Sequence, residues 1–97
     1  LRAEDARREL DGAYRSALAD YRSAEAQLAI LNEQAIPSLE AAFEAAEARY
    51  AGGQGSLELP LNIVRRYVEA NIQAVEQQGR LARAATEIIY LTGEADE

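Results

Sequence analysis

Tyr50-Ala51-Gly52-Gly53-Gln54-Gly55-Ser56-Leu57 interrupts a chain that is otherwise helix-forming on both sides. Three glycines in four positions are the strongest punctuation in the sequence. Glycine just past a helix end adopts the left-handed backbone that closes a C-cap. Ser56 is then placed to accept from the free N–H groups of a second helix. Glu58 sets a carboxylate near that helix's positive end, and Pro60 falls in its first turn, where a missing N–H costs least. The spacing predicts a helix over about 3–51, a turn at 52–56 and a second helix over about 57–92. The second helix starts between Leu57 and Pro60. Gly93 is the expected C-cap, and the acidic tail 93–97 is expected to fray. Helices joined by so short a turn run antiparallel.

Outward from the turn, the first helix carries apolar residues in steps of four and three: Leu10, Tyr14, Ala17, Tyr21, Ala24, Leu28, Leu31, Ala35. This is a heptad seam facing one partner. After Ala35 the phase slips by one residue and resumes as Leu39, Phe43, Ala46, Tyr50. One extra residue is a stutter. With Pro37 at the slip, the pattern predicts a kink or loosened turn at Leu31–Pro37 rather than a break. On the second helix the predicted seam is Leu61, Val64, Val68, Ile72, Val75, Gly79 or Ala82, Ala85, Ile89. A turn centred near Gly53 and Gln54 pairs Ala46 with Leu61, Phe43 with Val64, Leu39 with Val68, Leu28 with Gly79 and Leu18 with Ile89. Ile63, Tyr67, Leu81, Tyr90 and Leu91, with Leu18 and Ile30, lie off this seam. A helix apolar on more than one stripe has more than one neighbour, so further helices are expected on the second surface.

Composition narrows the function. Alanine supplies 21 of the 47 apolar residues, and aromatics reach only 6%. That favours long, closely approaching helices over a thick core. The net charge is −7 and all ten basic residues are Arg, which opposes binding to nucleic acid or anionic lipid. Cys, His, Met and Trp are absent, which removes disulfides, zinc fingers, thiol chemistry and His-based acid/base work. No apolar run approaches the roughly 20 residues of a membrane helix. The chain begins with Leu and carries Arg2, Glu4, Asp5, Arg7 and Arg8 instead of a signal peptide. It reads as a piece of a longer protein, so targeting is not to be judged from this end.

Carboxylate pairs such as Glu44/Glu47 and Glu4/Asp5 sit among Ala and Arg at surface phases, where solvation explains them. Glu25 with Arg22 and Glu69 with Arg65 have ion-pair spacing, worth only tenths of a kcal/mol each. The glycine-rich turn has no Lys and follows a helix, so it is not a phosphate loop. No acid, base or nucleophile set converges, so neither catalysis nor a cofactor or metal is expected. The candidate site is the turn itself: Tyr50, Gly52, Gly53, Gln54, Gly55, Ser56 and Leu57, an exposed tip whose open backbone offers contacts to a partner. Tyr50 has two available roles, packing against the first turn of the second helix or standing at the rim.

Ile36-Pro37-Ser38-Leu39-Glu40-Ala41-Ala42, then Tyr50-Ala51-Gly52-Gly53-Gln54-Gly55-Ser56, then Leu61 to Ala74 and a closing Leu91-Thr92-Gly93 resemble the C-terminal periplasmic hairpin of TolC-like outer-membrane factors, with a flavour of the heavy-metal efflux branch. The resemblance covers nearly all of this chain and a fraction of a full family member. It implies a trimer whose outer-membrane β-barrel continues as a periplasmic α-helical barrel, this hairpin being part of that barrel's wall. It also implies that Tyr50, Gly53 and Ser56 sit at a tip meeting a periplasmic adaptor (membrane fusion) protein, which links the duct to an inner-membrane pump. Acidic entrance positions of some members fall on Leu59 and Asn62, with Glu58 nearby, and a basic tip residue is replaced by Gly55. An electrostatic lock is therefore not implied, and Pro60 sets a different approach of the second helix. The alternative is a structural coiled-coil spacer or dimerisation module with no role for the tip.

Overall fold

The computed structural model describes residues 2–96. The chain is an all-α helical hairpin. Its first arm of 50 residues is α1 (Arg2–Ile30), a π-helical turn (Leu31–Ala35) and α2 (Ile36–Ala51); α3 (Glu58–Asp96) is the second arm. The expected antiparallel coiled-coil fold and the boundary of the first arm both hold.

The π turn lies where the heptad slips. The Ile36 N–H donates to the Leu31 carbonyl, five residues back, so this turn takes in one residue more than an α turn. Two causes meet here. Pro37 has no N–H and its ring crowds the preceding turn. The seam also carries one extra residue, and the widened turn absorbs it: adjacent Ala35 and Ile36 are both half-buried.

The chain divides into two packed units, Gln27–Glu76 around the turn and Leu1–Ala26 with Gln77–Glu97. In the unit around the turn, buried Leu31, Ala70 and Ala74 form the core, with Leu28, Ala35, Ile36 and Leu39 packed on them. Ala46 and Pro60 are buried nearer the turn. Covering one Leu of this kind is worth about 2 kcal/mol. In the other unit Ala17, Ala24, Ala84 and Leu91 are buried, flanked by half-buried Leu10, Leu18, Tyr21, Leu81 and Ile88. Gln77, also half-buried, accepts from Arg80 Nη1 at 3.0 Å through its Oε1. Among the described residues every large side chain remains partly in contact with solvent, as the alanine-rich composition implies.

The first-arm seam follows the sequence reading except at Tyr14 and Tyr50, which are 39% and 46% exposed; that of α3 does not. Its covered positions are Pro60, Ile63, Tyr67, Ala70, Ala74, Gln77, Leu81, Ala84, Ile88 and Leu91. The predicted seam residues Leu61, Val64, Val68, Ile72, Val75 and Ile89 are exposed. The seam is one residue earlier, a rotation of about 100°. Ala46 is buried while Leu61 is 56% exposed, and Leu39 and Leu28 pack on the Ala70–Ala74 cluster rather than on Val68 and Gly79. A Cβ at Gly79 would meet Arg83 of its own helix at 3.3 Å. Phe43 keeps its expected neighbour, bordering an open groove with Val64 and Tyr67. Around Leu31 size contributes: Leu28, Leu31 and Leu39 pack with Ala70 and Ala74, where facing Val and Ile would hold the backbones apart. Elsewhere the covered face of α3 carries the large residues Ile63, Tyr67, Leu81, Ile88 and Leu91.

The C-terminal boundary also differs. Gly93 does not cap α3, which continues to Asp96. Gly93 keeps a negative φ, no proline follows, and the Thr92 hydroxyl donates to the Ile88 carbonyl at 2.7 Å within the helix. Glu94 and Ala95 are good helix formers, so nothing there enforces a stop. Glu97, the end of the expected frayed tail, lies outside the described residues.

Candidate functional site

The turn is built by its glycines. Gly53 and Gly55 have φ of 81° and 94°, the left-handed region. The Gly53 N–H donates to the Tyr50 carbonyl at 3.0 Å and the Gln54 N–H to the Arg49 carbonyl at 2.8 Å. These paired bonds make a Schellman cap with Gly53 as its left-handed residue. The Gly52 N–H returns to Ala48 at 3.0 Å. The Ser56 hydroxyl accepts from the Glu58 N–H at 3.3 Å, as its capping role predicts. α3 begins at Glu58, within the predicted window, and Pro60 lies in its first turn.

This geometry revises what the tip offers. The N–H groups of Gly52, Gly53 and Gln54 are satisfied inside the cap and are not open to a partner. The tip therefore offers the backbone of exposed Gly55, Ser56 and Leu57, whose N–H groups take no part in the cap, together with side chains. Tyr50 is 46% exposed, at the rim rather than in the core, and Leu57 and Leu59 are similarly half-exposed. Gln54 and Ser56 are exposed between them. Ser56, Glu58, Leu59, Leu61, Asn62 and Arg65 border a shallow groove where α3 begins. Among the described residues no acidic group has metal-site geometry, and no helix is long and apolar enough to cross a membrane.

The second candidate is a surface that the sequence reading assigned to the interior. Leu61, Val64, Val68, Ile72 and Val75 form a continuous exposed stripe on α3, turned well away from the Ala70–Ala74 face. A shallow apolar concavity of about 420 Å³ lies along it, bordered by Tyr67, Val68, Asn71, Ile72, Val75 and Glu76. Asn71 is held by a 2.8 Å bond from its side-chain nitrogen to the Tyr67 carbonyl. Charged residues border the stripe without local partners. Arg65 and Glu69 have helical pairing distance in sequence, yet the one ion pair among the described residues joins Arg15 to Asp11 at 3.1 Å. The signal for the true seam was its continuity. The covered series from Pro60 to Leu91 alternates steps of three and four throughout, whereas the Leu61 series breaks that alternation at Ile72 and again at Ala85.

In the other unit, the Tyr90 hydroxyl has its pKa raised above the ordinary 10.0. The causes are hydrogen bonding to the Glu94 carboxylate one turn on, that carboxylate's charge, slight desolvation and the charge of Glu87.

No family model matches the chain, and comparison with curated proteins and with solved structures returned no match.

Proposed function

We propose that this hairpin is a wall element of a TolC-like efflux duct in the periplasm of an outer-membrane protein. Its tip docks a periplasmic adaptor protein. The role is passive: the helices line a passage, and the duct opens by small shifts of one helix along another. In the full-length trimer, neighbouring helices cover the surface the hairpin leaves open, and the adaptor connects the duct to an inner-membrane pump. One observation carries the reading. α3 turns one face, with Ile63, Tyr67, Ala70, Ala74, Leu81 and Leu91, to its own hairpin partner and leaves a second apolar face, Leu61, Val64, Val68, Ile72 and Val75, uncovered. That is the two-sided character of a helix with neighbours on two faces. Tyr50, Gly52, Gly53, Gln54, Gly55, Ser56 and Leu57 form the docking tip, with Tyr50 and Leu57 as its apolar contacts.

The spacer reading draws on a different observation. The first three amides of the turn, those of Gly52, Gly53 and Gln54, are satisfied within the cap, as in a plain connector. Binding to an adaptor hairpin separates the two, comparing the native tip with a Gly53→Asn, Ser56→Asp variant, both substitutions being turn- and cap-compatible. With helicity equal by circular dichroism, loss of binding in the variant is the result the duct reading predicts. Equal binding moves recognition off the tip, and no binding by either favours the spacer.

A further inference from the structure

We infer that the exposed stripe of α3 is a self-pairing surface, on which a second copy of this chain docks antiparallel about Val68. The stripe is the same read in either chain direction. Leu61 and Val75 lie seven residues to either side of Val68, and Val64 and Ile72 lie four. An interface between identical copies related by a two-fold axis requires such a patch, because residue i must meet j while j meets i. Antiparallel docking centred on Val68 sets Leu61 against the second copy's Val75, Val64 against its Ile72, and Val68 against itself. The concavity beside Val68, Ile72 and Val75 receives the apposed valines.

The border charges select the same arrangement. At about 100° per residue, Arg65 and Glu69 lie along one edge of the stripe, and Tyr67 and Asn71 along the other. A two-fold axis between antiparallel helices brings like edges together. Arg65 of each copy then comes within reach of the other copy's Glu69, twice over. Both are exposed and without an ion-pair partner in the single chain. In the duct reading neighbouring helices of the trimer cover this same stripe; the pairing inferred here is that of the chain by itself, where a second copy takes their place.

The chain has no cysteine, so introduced thiols report the pairing cleanly. Leu61→Cys, Val68→Cys and Val75→Cys lie on the exposed face, and circular dichroism checks that helicity is kept. Under mild oxidation Val68→Cys is expected to form a covalent dimer alone. Leu61→Cys and Val75→Cys are each expected to stay monomeric alone and to cross-link when mixed. Self-cross-linking by Leu61→Cys and by Val75→Cys would mean parallel neighbours and overturn the inference. So would the absence of any cross-link in a chain that sediments as a monomer at about 0.5 mM, a concentration that populates even weak dimers. A charge exchange gives an independent reading. Arg65→Glu and Glu69→Arg should each weaken self-association roughly tenfold, and a mixture of the two should restore it. Failure of the mixture to recover would contradict the antiparallel edge pairing.

Discussion

Two faces of α3, one residue apart in phase, behave in opposite ways. Ala70 and Ala74 are 7% and 5% exposed, while Ile72 and Val75 on the other face are 53% and 65% exposed. By hydrophobicity alone the second face belongs inside along this stretch, since each Val or Ile offers about 1.5–3 kcal/mol on full burial and Ala far less. The hairpin makes the other choice because two helices share only a line of contact. Along that line, backbone approach and the fit of large residues against small ones decide the packing. The stronger hydrophobes are left for a neighbour that the hairpin alone does not supply. The covered face thus specifies the fold, and the uncovered face leaves a second apolar surface exposed.

Charge placed on either face tests that division most severely. Ala70→Arg is expected to cost about 3 kcal/mol or more, enough to unfold so thin a structure, because it buries an unpaired charge. Val68→Arg is expected to leave the stability of the dilute chain within about 0.5 kcal/mol while abolishing self-association. Thermal melts and sedimentation measure both; equal destabilisation by the two would erase the distinction. A step smaller is Leu31→Ala, which removes the large member of the Leu31–Ala70–Ala74 core and is expected to cost about 2 kcal/mol in urea unfolding.

Gly53→Ala sharpens a different contrast, between the turn and the arms. The added Cβ meets nothing within 4 Å, so its cost is conformational only, about 1 kcal/mol for a left-handed position. A larger loss would mean that the turn holds contacts beyond its cap. The smallest effect concerns Tyr90. Its folded pKa lies above the unfolded value, so the interaction stabilises the fold below about pH 10 and fades as pH rises through the folded pKa. Glu94→Gln should bring the Tyr90 titration back toward 10.0, as followed by NMR of the ring carbons.

Much of this was legible in the residues. Gly52-Gly53-Gln54-Gly55-Ser56 specified the turn, and the structure fills in its Schellman bonds. The seam of the first arm could be read because its large residues lie on one line, and the stutter with Pro37 announced the π turn. The seam of α3 was misread because α3 has two apolar stripes, and the one chosen was richer in Val and Ile around Val68, whereas the covered line, with Ile63, Tyr67, Ala70, Ala74, Leu81 and Leu91, keeps an unbroken alternation of three and four. The end of α3 was misread for a related reason: Gly93 permits a C-cap but does not impose one when helix formers follow. At the tip, the composition gave the residues but not the direction of their hydrogen bonds. Open amides were expected at Gly52, Gly53 and Gln54, where the cap uses them, leaving the backbone of Gly55, Ser56 and Leu57 with the Tyr50 and Leu57 side chains as the exposed chemistry.

Thiol accessibility at two adjacent positions tests the central claim most directly. Ala74→Cys and Val75→Cys would each be reacted with a thiol reagent in chain dilute enough to be monomeric. The account predicts that the thiol at 75 reacts like a free one and that the thiol at 74 is slower by roughly a hundredfold, limited by local opening of the hairpin. Equal rates, or protection at 75 with free reaction at 74, would place the seam on the Leu61–Val75 face and contradict it.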